Sequence, residues 1–205
     1  MQTNTKRLTL SAVLAAIAAV VMFLEFTVPF MPPFLKLDLS LIPALVGGFI
    51  MGPVTAVLIQ LVKNLVHVLL TQTGGVGEIA DFVIGSCFVC IASLLYHRGG
   101  KTNKRAVLGL VFGSIAMIIG SVIFNYFVAI PIYAKVTPME QIISLCAKVN
   151  PLIHDSGSLV LFGILPFNII KAVLVSLLSY FFYTKLRHIL PTADTKNQHN
   201  GVPLS

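Results

Sequence analysis

The chain has 205 residues, 57% of them hydrophobic and 10% charged, with a net charge of +7; its mean hydropathy is +0.94. A soluble domain carries about 25% charged residues to keep its surface wetted, so the composition excludes a soluble fold and predicts an all-α polytopic membrane protein. The positive charge does not indicate nucleic acid, because the basic residues cluster at the ends of apolar runs, where they set topology.

A spanning helix needs about 20 apolar residues to cross about 30 Å of hydrocarbon. The first such run covers 8–28 and stops at Pro29. Glu25 and the prolines at 29, 32 and 33 predict a retained helix rather than a cleaved signal peptide. Within it Ala12 and Ala16, and again Ala15 and Ala19, have the small-x-x-x-small spacing that lets a second helix approach closely. The stretch 39–70 is too long for one span, and Gly52-Pro53 divides it. Its first half, 39–51, is short and is expected to be tilted, interfacial or buried against its neighbours. Runs at 79–96, 106–133 and 158–186 complete six transmembrane helices.

Two outer connections are long for so apolar a chain. Residues 29–40 are rich in proline and phenylalanine, and 139–149 within the 134–156 loop reads as a short amphipathic helix. Such structured loops act as lids over a site or as interfacial anchors. Residues 1–190 are expected to form one membrane domain and 191–205 a disordered cytoplasmic tail.

Orientation follows from the basic residues of the connections. With both termini inside, Lys6, Arg7, Arg98, Lys101, Lys104, Arg105, Lys185, Arg187 and Lys196 are cytoplasmic, nine against the three (Lys36, Lys135, Lys148) left outside. The acidic residues other than Asp194 then fall at or near the outer face.

Polar residues inside the spans carry the functional signal, because a mid-membrane Lys costs about 2.5–3.5 kcal/mol on insertion scales. Asn168 and Lys171 lie three apart in the last run and share a helix face, below the proline at 166. Ser114, Ser121 and Asn125 form a stripe on the fifth run, and Gln60, Lys63, Asn64 and His67 one on the third. Asp38 and Glu78 lie at the outer edge. The plain alternative is that the amides tie helices together and that Lys63 snorkels or pairs with Glu78 or Asp81. His67 reads as a hydrogen-bonded core histidine, with no second His in register.

Enzyme chemistry has little support. Gly100-Lys101-Thr102 resembles the end of a phosphate-binding loop, but that pattern requires Gly where Leu95 stands. The protease and esterase motifs are absent. Cys87 and Cys90 form a C-x-x-C inside an apolar run, with no second pair, and read as packing residues; with Cys146 they make no disulfide framework. No metal and no cofactor is expected.

Phe34-Leu-Lys-Leu-Asp-Leu-Ser40 with Ile42-Pro43-Ala44, Gly47-Gly-Phe49, Gly52-Pro53 and Lys63-Asn-Leu-Val-His67 form one set of motifs. Gly75-Val-Gly-Glu78, Ala80-Asp-Phe82, Asn125-Tyr-Phe127 and Pro166-Phe-Asn-Ile-Ile-Lys171 follow in order. Together, over 8–188, these stretches resemble the riboflavin-specific substrate-binding (S) components of energy-coupling-factor (ECF) transporters. Asp81 departs from the resemblance, where the family pattern reads Asn. The resemblance implies six helices, an outward-facing riboflavin pocket, and a cytoplasmic-side assembly with a transmembrane coupling protein and two ATPases. Riboflavin would then be the transported ligand, and the chain itself no enzyme. The resemblance also assigns the Ala12 and Ala16 face to the coupling protein. In chemical terms Asn125 and Asn168 suit the carbonyl and N–H edge of the flavin ring. Lys171 suits a ring acceptor, Leu37 a ring face, and Asp38 and Glu78 the ribityl hydroxyls. An S component for thiamine, biotin or a pterin is the alternative within the class. A proton-coupled transporter using His67, Lys63 or Glu78 is the alternative outside it.

Overall fold

In a computed structural model, residues 2–71 and 73–186 are described; the tail at 191–205, with Arg187 and Lys196, lies outside the described residues. Helix α1 (Gln2–Met22) ends six residues before the predicted limit at 28. Beyond it β1 (Phe26–Thr27) pairs antiparallel with β2 (Lys36–Leu37), Phe26 opposite Leu37 and Thr27 opposite Lys36. The correction follows from proline chemistry. Prolines at 29, 32 and 33 bias the residues before them towards extended backbone, and the chain reverses through Phe30 at φ 63°.

Asp38 shapes the turn that leads into the next helix. Its Oδ1 accepts from the Ser40 backbone N–H at 2.9 Å and from the Ser40 hydroxyl, which fixes the entry to α2 (Leu41–Met51). Gly52 then adopts φ +108°, a conformation that side chains with a Cβ rarely reach. Pro53 opens α3 (Pro53–Val68) at the position where its missing N–H costs nothing. The stretch 39–70 is therefore two short helices. Nearly all of α2 is buried, which settles how an 11-residue helix is accommodated.

Helix α4 (Val76–Arg98) and helix α5 (Asn103–Phe124) follow, joined by the charged turn at 99–102. Thr102 caps α5 by accepting from the Arg105 N–H at 3.3 Å, so the Gly-Lys-Thr tripeptide is a helix start. The two helices touch closely. A Cβ at Gly109 would lie 2.5 Å from the Ala92 carbonyl oxygen, and one at Gly113 would lie 2.6 Å from the Phe88 ring.

The chain continues through a π-helical stretch, Asn125–Ala129, into α6 (Ile130–Val136). The 134–156 loop carries the expected short helix, α7 (Met139–Val149). The last span begins with α8 (Ser156–Leu159), widens into a second π-helical stretch, Val160–Ile164, and runs on as α9 (Leu165–Leu186). Each π stretch ends two residues before a proline, Pro131 and Pro166. A proline ring crowds the carbonyl four residues back, and a locally wider turn makes room for it. At Pro166 that carbonyl belongs to Phe162, and Asn150 Nδ2 donates to it at 3.2 Å.

Among the described residues four helical segments are long and apolar enough to cross a membrane: Thr5–Met22, Val76–Arg98, Asn103–Lys135 and Ser156–Lys185. The shorter α2 and α3 occupy the divided stretch 39–70. The main core lies between them around Leu41, Leu45, Ile59, Phe88 and Met117. A smaller core under the outer loop joins Ile130, Cys146, Ile153 and Leu159. At the far end Phe49, Tyr96 and Tyr183 pack ring to ring, with the two tyrosine hydroxyls 2.9 Å apart.

Candidate functional site

The site begins with a charge that has to be neutralised. Lys171, on α9, is buried to 5% exposure, and its Nζ lies 2.8 Å from Asp38 Oδ2 and 3.0 Å from Asp81 Oδ1. Lys63, on α3, is completely buried; it pairs with Asp81 Oδ2 at 2.8 Å and donates to the Ser40 hydroxyl. Asn64 Nδ2 donates to the same Asp81 oxygen at 3.2 Å. Two ammonium groups and two carboxylates thus close one network, drawn from the turn before α2 and from α3, α4 and α9. Buried charges persist only when paired in this way. Of the partners foreseen for Lys63, the structure selects Asp81.

A second cluster gathers around His67 and Glu78. His67 Nδ1 is 2.9 Å from Glu78 Oε1, and Thr73 Oγ1 donates to Glu78 Oε2 at 2.9 Å. His67 is therefore a hydrogen-bonded histidine, and its ring lies against Phe23 at 5.2 Å. Across the hairpin Glu25 pairs with Lys36.

These groups border a cavity of about 490 Å³, within the range of about 300–1,000 Å³ usual for small-molecule sites. Asp38, Glu78, Asp81, Asn125 and Lys171 line it. Phe34 from the hairpin loop, Ile130 just after the first π stretch, Ile164 at the end of the second, and Met139, Ile142 and Leu145 from α7 supply apolar wall. A smaller pocket of about 110 Å³ shares Asp81, Asn125 and Lys171 with it and adds Phe167 and Asn168. The outer loop helix is thus a wall of the cavity. Cys146, on its inner side, is packed in the smaller core, and burial pushes its thiol pKa up to about 11.

Asn125 and Asn168 sit alike. Each carboxamide donates one N–H to the carbonyl four residues earlier on its own helix, Ser121 and Ile164, at 2.8 Å. Among the described residues its Oδ1 and second N–H have no hydrogen-bond partner. The two π stretches pack against one another beside these residues, and the widened turns set where both amides project.

Of the expected pocket residues, Asp38, Glu78, Asn125 and Lys171 line the larger cavity, and Asn168 lines the adjoining pocket. Leu37 lines neither; it is 1% exposed. Successive residues of a strand face opposite sides, so with Lys36 and Asp38 at the cavity, Leu37 turns into the core. Phe34, three residues earlier, lines both the cavity and the adjoining pocket. Sequence reasoning also missed Asp81 as the carboxylate that joins both lysines, and Tyr133 and Thr73 as lining residues. The signal for Asp81 was its spacing, three residues after Glu78 on one helix face.

Ala12 and Ala16 lie on the exposed face of α1, whereas Ala15 and Ala19 are buried within the bundle. The two small-residue faces therefore separate, one packed inside and one open.

Comparison with known proteins agrees with this architecture. A family model described as the ECF transporter substrate-specific component matches residues 6–183. The riboflavin transporter RibU of Staphylococcus aureus (strain TCH60) is 35% identical over 149 residues, 73% of each chain. The riboflavin transporter RibU of Streptococcus thermophilus (strain ATCC BAA-250 / LMG 18311) is 28% identical over 193 residues, 92% of this chain and 86% of its own. A solved S component of a bacterial ECF transporter superposes with a TM-score of 0.73 at 34% identity, covering 91% of this chain and 98% of that one. Bundle, cavity and match over nearly all the described residues lead to one assignment: the chain belongs to the family of membrane-embedded substrate-specific components of ECF transporters.

Proposed function

We propose that this chain binds riboflavin at the outer face of the cell membrane and serves as the vitamin-binding component of an ATP-driven uptake system. The observation that carries the reading is the pair of amides beside Lys171, Asn125 lining the cavity and Asn168 the pocket that adjoins it. A flavin ring is flat and largely apolar, with one edge of alternating carbonyl and N–H groups. An uncommitted amide presents an acceptor and a donor to such an edge, and the third N–H of Lys171 suits a ring carbonyl. Phe34 and Ile164 offer apolar surface for the ring faces, and Glu78 with Asp38 suits ribityl hydroxyls. The relatives named riboflavin transporters support the same ligand.

ATP hydrolysis would come from two separate ATPase subunits, joined through a transmembrane coupling protein. The open Ala12 and Ala16 face of α1 suits contact with that protein, since small residues allow close helix approach in lipid. Both termini would be cytoplasmic, as the nine-to-three excess of basic residues argues.

Purified protein should be yellow and should quench riboflavin fluorescence at one ligand per chain. A colourless preparation that leaves added riboflavin fluorescence unchanged overturns the choice of ligand. Proton-driven uptake in vesicles holding this chain alone overturns the dependence on ATPase partners.

A further inference from the structure

The cavity's charges are unevenly matched. Glu25, Asp38, Glu78 and Asp81 line it, against Lys36 and Lys171, with Lys63 completely buried behind them. Each of these ammonium groups already faces a carboxylate: Lys36 pairs with Glu25, Lys63 with Asp81, and Lys171 with both Asp38 and Asp81. Glu78 is held by His67 and Thr73, neither of them a fixed cation. A phosphate monoester carries about −1.5 to −2 charges at pH 7, and in this cavity it meets no unmatched cation.

We infer that Asp81 is a determinant of ligand charge in this site, making it select a neutral flavin and reject the phosphorylated one. This rests on the riboflavin reading above. Asp81, not Asp38, has this role because of where its oxygens go. Asp38 spends Oδ1 on Ser40 and only Oδ2 on a lysine. Asp81 gives one oxygen to each lysine and lines both the larger cavity and the adjoining pocket. Removing its charge leaves Lys63 and Lys171 against Asp38 alone, so the inner end of the cavity changes from neutral to positive. In a region shielded from water one charge acts strongly on an anion several ångströms away. An asparagine at this position keeps the shape and the acceptor oxygen while making that change.

The test compares riboflavin with riboflavin 5′-phosphate by fluorescence titration of the purified full chain. The wild-type protein should bind the phosphate about tenfold more weakly or worse, and Asp81→Asn should close that gap by about tenfold. Asp81→Glu should keep the wild-type ratio. Asp81→Ser, which also removes the charge and leaves a small polar side chain, should shift the ratio in the same direction as Asp81→Asn, and it carries the test if Asp81→Asn does not insert. Wild-type protein that binds both flavins equally, or an unchanged ratio in the folded Asp81→Asn protein, overturns the inference and leaves the riboflavin reading standing. If Asp81→Asn fails to insert, an unchanged ratio in folded Asp81→Ser overturns it instead. Wild-type protein that binds neither flavin overturns both.

Discussion

Lys171 and Asn168 share a helix face yet do different work, and substitution should separate them. Asn168 spends one N–H on its own helix, so Asn168→Ala should leave the bundle intact and weaken riboflavin binding by about 1–3 kcal/mol, the usual cost of an unmatched buried polar group. Lys171→Ala removes the ammonium from two carboxylates and should also lower stability by about 3–5 kcal/mol, the range for breaking a buried ion pair. Titration beside thermal unfolding in detergent distinguishes the two; wild-type affinity in a folded Asn168→Ala protein would return that residue to helix packing. The shared face was readable from the three-residue spacing. The carboxylates were not, because Asp38 and Asp81 lie 133 and 90 positions away in sequence and only the fold brings them together. Leu37 shows the converse: its apolar character suited a ring contact, but strand alternation sends it inward.

Helices were legible wherever an apolar run was long, because membrane burial makes hydropathy a direct reading of span. What hydropathy does not carry is the geometry within a run. The π stretches before Pro131 and Pro166 look like ordinary apolar sequence, and of the strand pair β1 was concealed in the tail of the first run and β2 in the connection that follows it. The tight contact between α4 and α5 also went unread. Gly109 and Gly113 have the small-x-x-x-small spacing and lie directly on α4, against the Ala92 carbonyl and Phe88. Gly109→Ala and Gly113→Ala should each push α4 and α5 apart and cost about 1–3 kcal/mol, as overpacking does. Gly120 has open space around it, so Gly120→Ala is the control and should be nearly neutral. Unfolding temperatures alike for all three variants would mean that the α4–α5 seam yields freely.

At the scale of the molecule the two ends differ. Met22 and Glu25, at and just beyond the end of α1, line the cavity, while Ala12 and Ala16 lie one to three turns nearer the amino terminus. Ala12→Trp or Ala16→Trp should therefore still bind riboflavin but fail to co-purify with a coupling protein and fail in uptake. Normal uptake would move the docking seam to another face, and the buried Ala15 and Ala19 do not offer one. Lost flavin binding would make α1 a support of the pocket. The four-membered charge network has a further consequence, for how the protein is made. Its members enter in chain order, Asp38, Lys63, Asp81 and finally Lys171, so the balance closes only when the last span arrives. A nascent chain that stops short of α9 holds two carboxylates against one ammonium, and a buried charge without its partner is costly. Completion of synthesis is thereby written into the electrostatics of the fold, and a truncated chain carries its own mark for retention or clearance.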